Sequence, residues 1–329
     1  MVITRTPLRV SFFGGGTDYP AYFRNHGGVV LSTSIDKFVY VTVTRMGSLF
    51  DHNYRVAYSK TELVKTAADI QHPSVKACIS HLGIQDGLEI SVTTDLPART
   101  GLGSSSSFTV GLLNGIHSLH GRLVEKSALA AEAIYVEQKV IGERVGNQDQ
   151  VAAAVGGLNF ITFHHDGSFL AEPLPLSRGR KQSLFDHIFL VYTGISRFAE
   201  DVLQEQSANV YNRLAELEKI KELAHQARKL LCDDRMPLQD FGALLHETWM
   251  HKKKLSSRIS NTVVERIYET SREAGAIGGK LLGAGAGGFL LIFAKPENHV
   301  AIKSALSDFQ TVEIQPDSSG STVIYHQAG

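Results

Sequence analysis

The segment Leu96-Pro-Ala-Arg-Thr-Gly-Leu-Gly-Ser-Ser-Ser-Ser107 joins two glycines to four consecutive hydroxyls, the groups from which a polyphosphate cradle is made. The run before it, Leu88 to Thr94, alternates as a half-buried strand does. The run after it, Phe108 to Ile116, reads as a helix. At such a junction glycines let backbone N–H groups converge and the helix N-terminus adds partial positive charge, so an anion is the natural guest. No lysine follows Gly101 or Gly103, so this is not the common P-loop. Ser104 alone would suffice to cap the helix. A cap needs one hydroxyl, and this junction supplies four.

A second cluster lies in Arg5-Thr-Pro-Leu-Arg-Val-Ser-Phe-Phe-Gly-Gly-Gly-Thr-Asp-Tyr-Pro20. Arg9 sits on a strand, and Gly14, Gly15 and Gly16 allow close approach of a ligand to the backbone. Thr17 and Asp18 then offer small polar groups suited to sugar hydroxyls, or else cap a helix through Tyr22 and Phe23. Glu137 falls on a helical pattern running from Ser127 to Val145, and Asp149 opens the next helix. Taken singly, one would face water and the other would serve a helix N-terminus. Phosphoryl transfer, however, needs a magnesium ligand and a group that orients the attacking hydroxyl. A carboxylate with a loop hydroxyl suits hard Mg2+.

The run Gly283-Ala-Gly-Ala-Gly-Gly288 reads either as a tight turn between strands or as backbone against which something bulky sits. Arg197 and the basic stretch Lys252-Lys-Lys-Leu-Ser-Ser-Arg258 are either solvated or hold a second phosphate. Other matches fail on context. A strand follows the glycines at 283–288 where a dinucleotide fingerprint needs a helix. Asp240-Phe241-Gly242 lies in helical sequence with no His-Arg-Asp loop. His246 and His251 miss metalloprotease spacing by one residue.

These groups must be positioned by a chain of 329 residues, 43% hydrophobic and 20% charged, which suits a globular protein of about two domains. Lys plus Arg balance Asp plus Glu at 33 each, so no net field favours nucleic acid or an anionic membrane. Two cysteines, Cys78 and Cys232, point to a reducing compartment. No apolar run is long enough for a signal peptide or a membrane span, so a cytoplasmic protein is expected. Nothing in the composition excludes a homo-oligomer. Strands alternate with helices unevenly, which predicts an α+β protein. The turn-rich Pro173 to Arg180 predicts a boundary, with domains at 1–180 and 181–329.

Three motifs in order, at Pro7 to Tyr19, Leu96 to Ser107 and Lys280 to Phe289, resemble the GHMP small-molecule kinase superfamily, which includes galactokinases, homoserine kinases and mevalonate kinases. The resemblance implies two domains, the first like domain two of ribosomal protein S5 and the second ferredoxin-like, with ATP and substrate between them. It further implies that Gly101, Leu102, Gly103, Ser104, Ser105 and Ser106 cradle the ATP phosphates and that Ser105 and Glu137 hold Mg2+. Asp149 matches the family's base, and Arg9 matches the arginine near the reacting hydroxyl. Gly15, Gly16, Thr17, Asp18, Gly283, Gly285 and Gly287 are implied to line the substrate site. Galactokinases carry Gly-Glu-His-Thr-Asp in the first motif, where this chain has Gly14-Gly-Gly-Thr-Asp18. The triglycine and the segments around Arg197, Lys254 and Lys280 are most similar to the branch that phosphorylates the anomeric hydroxyl of D-glycero-D-manno-heptose 7-phosphate for nucleotide-heptose synthesis. Under that resemblance Arg197 and Lys254 meet the distal phosphate. A kinase of fucose or a galactose-like sugar, or a silent sugar sensor, are the alternatives.

Overall fold

A computed structural model describes residues 1–195 and 213–327. Its first sheet grows from two long strands, β1 (Val2–Phe13) and β2 (Gly28–Arg45), paired antiparallel. The sequence suggests a strand only from Phe38, but β2 is continuous over 18 residues because its two halves have different partners. Gly28 to Thr33 pair with β6 (Leu158–Phe163), and Val39 to Arg45 pair with β5 (Leu88–Thr94). Beyond β5 lie β3 (Tyr54–Ala57), parallel to it, and β4 (Thr61–Val64), while β7 (Phe169–Pro173) extends β6.

Helix α1 (Pro20–His26) leads from β1 into β2, and α2 (Pro73–His81) precedes β5. Helix α3 (Ser104–Leu119) packs across β1 and β2. A Cβ on Gly111 would lie 2.8 Å from Thr6 Oγ1, so only glycine allows that approach, and Thr4 Oγ1 donates to the Gly111 carbonyl at 2.9 Å. This contact anchors the helix whose N-terminus carries the serines. Next comes α4 (Lys126–Tyr135), which does not run on to Val145 as the periodicity predicts. It widens into a π-turn at Val136–Ile141 and stops at Gly142, which is left-handed at φ 85°. Helix α5 (Gln148–Val155) begins shortly afterwards.

The second sheet is antiparallel, in the order β11 (Thr311–Val312), β8 (Ile188–Tyr192), β10 (Phe289–Ala294), β9 (Ala276–Leu281). Helix α6 (Arg178–Asp186) leads into it, starting at a Ser177 cap inside the stretch expected to be turn. Helices α7 (Leu214–Cys232), α8 (Gln239–Lys253) and α9 (Thr262–Glu273) follow, and α10 (His299–Ala305) comes late. The chain then returns, and β12 (Thr322–His326) pairs with β1, so the first sheet includes residues from the far end of the sequence. The sheets meet at an aromatic joint in which Phe241 of α8 touches Phe12, Phe13 and Phe293 edgewise or tilted, with centroids 5.1 to 5.7 Å apart. This is the two-domain α+β arrangement. Among the described residues no helix is long and apolar enough to cross a membrane.

Candidate active site

Arg9 and Asp149 meet where β1 passes the start of α5. Arg9 Nε and Nη2 donate to the two oxygens of Asp149 at 2.8 Å each, and Nη1 donates to the Gly101 carbonyl at 2.6 Å. One guanidinium thus fixes both the carboxylate and the glycine loop, and such a bidentate pair holds orientation well. The Arg9 side chain is buried, whereas that of Asp149 keeps 26% exposure and is open to solvent. Gly103, left-handed at φ 77° ahead of α3, completes the corner. A Cβ there would lie 3.3 Å from Asp149 Oδ2 and 3.2 Å from Arg9 Cγ. The serine-rich helix start and Asp149 are therefore immediate neighbours.

The glycine run forms the facing wall. A Cβ on Gly283 would lie 2.5 Å from Gly101 Cα, and one on Gly101 would lie 2.5 Å from the Leu282 carbonyl. Phe289 N donates to the Thr100 carbonyl at 3.1 Å. Bare backbone from both domains interlocks here. Gly285 and Gly287 lean instead on Ile259 and Ile195, where added Cβ atoms would come within 2.8 Å.

Glu137 is turned inward by the π-turn and is 1% exposed. Ser106 Oγ and Gln150 Nε2 donate to its Oε2 at 2.9 and 2.5 Å, while Oε1 is buried with no hydrogen-bond partner. Burial, only partly offset by the neighbouring Thr109, Gln150 and Ser106 side chains, pushes its carboxyl up to about 7. An orphaned oxygen on a buried acid is what a divalent cation would satisfy. No cluster of three His, Cys, Asp or Glu stands ready to hold a metal among the described residues, so nucleotide oxygens would have to complete the shell. The serine in contact with Glu137 is Ser106 rather than the expected Ser105, which is exposed at the helix start.

Asp18 is 1% exposed, accepting from Gly16 N at 2.9 Å and Gln148 N at 3.3 Å. Burial pushes it up to about 6, and Asp149 adds to the shift. Thr17 requires a correction. Its hydroxyl reaches the Gly14 and Val29 carbonyls at 2.8 Å and accepts from Val29 N at 3.1 Å, so it closes the loop and offers nothing to a sugar. Lys254 is exposed, and Arg197 lies outside the described residues.

Two family models match, for the N-terminal domain of GHMP kinases over residues 62–157 and for the C-terminal domain over 196–310. The chain is a GHMP kinase. It is 28% identical over 315 residues to the D-glycero-alpha-D-manno-heptose 7-phosphate kinase of Campylobacter jejuni, covering 92% of each. It is also 28% identical to the L-fucokinase/L-fucose-1-P guanylyltransferase of Bacteroides fragilis, of which it spans 36%. A crystal structure described as a D-glycero-D-manno-heptose 1-phosphate kinase from Bacteriodes thetaiotaomicron shares the fold at TM-score 0.82, with 23% identity and full coverage of both chains.

As a GHMP kinase the protein is an ATP-dependent enzyme, and its site contains groups that sequence reasoning missed. Lys252 and Lys280 are both buried within the joint. Lys252 Nζ donates to the Leu281 and Gly283 carbonyls at 2.8 and 2.6 Å, tying α8 to the glycine run. Lys280 Nζ donates across the domains to the Ser11 and Phe12 carbonyls at 2.9 and 3.0 Å. Burial lowers both ammonium groups, Lys252 to about 7. The signal was in the sequence: Leu245, Thr248, Trp249 and Lys252 share one helix face, which leaves Lys254 outside.

Proposed function

We propose that this enzyme is a sugar kinase that transfers the γ-phosphoryl group of ATP to the C1 hydroxyl of D-glycero-D-manno-heptose 7-phosphate, giving the 1,7-bisphosphate and ADP. The observation that supports a reaction at this corner is the approach of Asp149 to Gly103, 3.3 Å from where a Cβ would stand. A phosphate chain seated on Gly101 to Ser106 would then present its end to a hydroxyl held by Asp149. Substrate identity rests on the relatives and on the triglycine motif.

In this reading Asp149 accepts the C1 hydroxyl proton as the oxygen attacks phosphorus, and Arg9 fixes the carboxylate so that one oxygen faces the acceptor. An anomeric hydroxyl is more acidic than an ordinary alcohol, so a carboxylate suffices as base. The N–H groups and hydroxyls at the start of α3 meet charge on the β- and γ-phosphates. Glu137 with Ser106 would hold Mg2+, which when bound neutralises phosphate charge. Asp18, Gly15, Gly16 and the glycines at 283, 285 and 287 line the acceptor side, and Lys254 with Arg197 would receive the distal phosphate. Residues 1–180 would supply the phosphate loop and the base, residues 181–329 would supply the facing wall of the sugar site and return β12 to the first sheet, and the enzyme would act in the cytoplasm.

The test is incubation with ATP, Mg2+ and a panel of heptose 7-phosphate, fucose and galactose, with the new phosphate located by 31P NMR. A C1 phosphate on heptose 7-phosphate is expected. Faster turnover of an unphosphorylated hexose would overturn the substrate assignment.

A further inference from the structure

Two buried polar groups near Asp149 have no partner in the protein. Ser11 is 4% exposed, yet its hydroxyl oxygen makes no hydrogen bond, and the side-chain oxygen of Gln148 is likewise buried and unsatisfied. Unpaired buried polar atoms are uncommon in folded proteins and costly to keep, so each calls for an explanation. Both side chains border Gly15, the glutamine through its amide nitrogen rather than its unsatisfied oxygen. A Cβ on Gly15 would lie 3.7 Å from Ser11 Oγ and 3.7 Å from Gln148 Nε2.

The scaffolding around this niche is firm. Ser11 lies two residues beyond Arg9 on β1, so the two side chains share a strand face. Its carbonyl is pinned by Lys280 Nζ at 2.9 Å. Gln148 directly precedes Asp149, and its backbone N–H donates to Asp18. The niche is therefore built from the same strand and the same helix start that carry Arg9 and Asp149.

We infer that Ser11 and Gln148, facing each other over Gly15, form a specificity pocket that hydrogen-bonds hydroxyls of the acceptor sugar. A serine hydroxyl both donates and accepts, and the glutamine amide offers an acceptor oxygen and a donor nitrogen. Together they can bracket neighbouring hydroxyls of a polyol, which gives the cleft the reading function that Thr17 lacks. A site built on such groups discriminates against analogues missing the hydroxyl, because its own polar atoms are then left unpaired. The inference rests on the sugar-kinase reading above and names the residues that would set its selectivity.

Gly15 supplies the test. Its φ is not in the left-handed region, and 3.7 Å is ordinary van der Waals contact, so alanine fits the folded protein without strain. In Gly15→Ala the added methyl occupies the space meant for the sugar. The wild type is first assayed on the sugar panel, and whichever acceptor it phosphorylates becomes the probe. Gly15→Ala is expected to raise the acceptor KM at least tenfold while leaving the melting temperature and the dissociation constant of a non-hydrolysable ATP analogue unchanged. Ser11→Ala and Gln148→Ala are expected to raise the same KM and to shrink the wild-type preference over singly deoxygenated acceptors. An acceptor KM within twofold of wild type in Gly15→Ala and Ser11→Ala alike would overturn the inference. A wild type that phosphorylates a sugar other than heptose 7-phosphate would overturn the substrate assignment alone, with the pocket still read on that sugar.

Discussion

Arg9 holds Asp149 by two hydrogen bonds of 2.8 Å while its remaining nitrogen holds the Gly101 carbonyl at 2.6 Å. The proposed base and the proposed phosphate loop are thus fastened to one rigid fork on β1. Distances between them are set by the strand, so the site does not depend on the flexible geometry of two independent loops.

Replacing the base tests that linkage. Asp149→Asn keeps the shape and one acceptor for Arg9 but cannot take a proton. Turnover is expected to fall by about a hundredfold or more, the usual range for loss of a positioned general base. Affinity for an ATP analogue, measured by calorimetry, should stay within a few fold. Near-full turnover in the folded variant would remove Asp149 from the mechanism.

Gly103→Ala examines the corner itself. The backbone is left-handed at φ 77°, and the new methyl would press on Arg9 Cγ at 3.2 Å and Asp149 Oδ2 at 3.3 Å. Left-handed strain costs about 1–2 kcal/mol for a residue other than glycine. Chemical denaturation should register that loss, and kcat should fall further than stability alone explains, because the methyl displaces the carboxylate. A variant as stable and as active as wild type would show that the corner is slack.

How much of this was legible beforehand depended on which signals are local. Asp149 taken alone reads as a helix-start residue and gains its role only from the family resemblance, whereas the serine loop announces itself by four hydroxyls between a strand and a helix, and the glycine run by its composition between two strands. The π-turn that swings Glu137 inward does not, because a helical periodicity of 3.6 carries no mark of one wider turn. The use of Thr17 was hidden as well, since its partners Gly14 and Val29 become neighbours only once β2 folds back along β1. Three consecutive lysines look alike in sequence, yet phasing against Trp249 separates buried Lys252 from exposed Lys254.

The correction at Thr17 has its own consequence. Thr17→Val keeps the volume but removes a buried hydroxyl whose single proton lies between the Gly14 and Val29 carbonyls and whose oxygen accepts from Val29 N. Stability is expected to drop by about 1–3 kcal/mol, the cost of leaving such partners unsatisfied. The acceptor KM of the folded fraction should change little. A large rise in KM with unaltered stability would return Thr17 to the substrate site.

Glu137 makes the stability of the ligand-free enzyme depend on pH. Burial raises its carboxyl from 4.5 to about 7, so the folded state binds this proton more tightly than the unfolded chain does. The contribution of this group is therefore most favourable below about 4.5 and declines as pH rises to about 7. At 1.36 kcal/mol per unit, the loss across that window is at most about 3 kcal/mol. Glu137→Gln should flatten this part of the stability profile, leaving the ligand-free variant more stable than wild type above neutrality. In wild type, Mg2+ with an ATP analogue should recover much of the loss at high pH, since a cation beside Oε1 favours the ionised form. The same addition should stabilise Glu137→Gln distinctly less. Thermal melts of both proteins from pH 5 to 8, with and without the metal nucleotide, measure all four arms, and equal ligand stabilisation of the two proteins would take the metal away from Glu137.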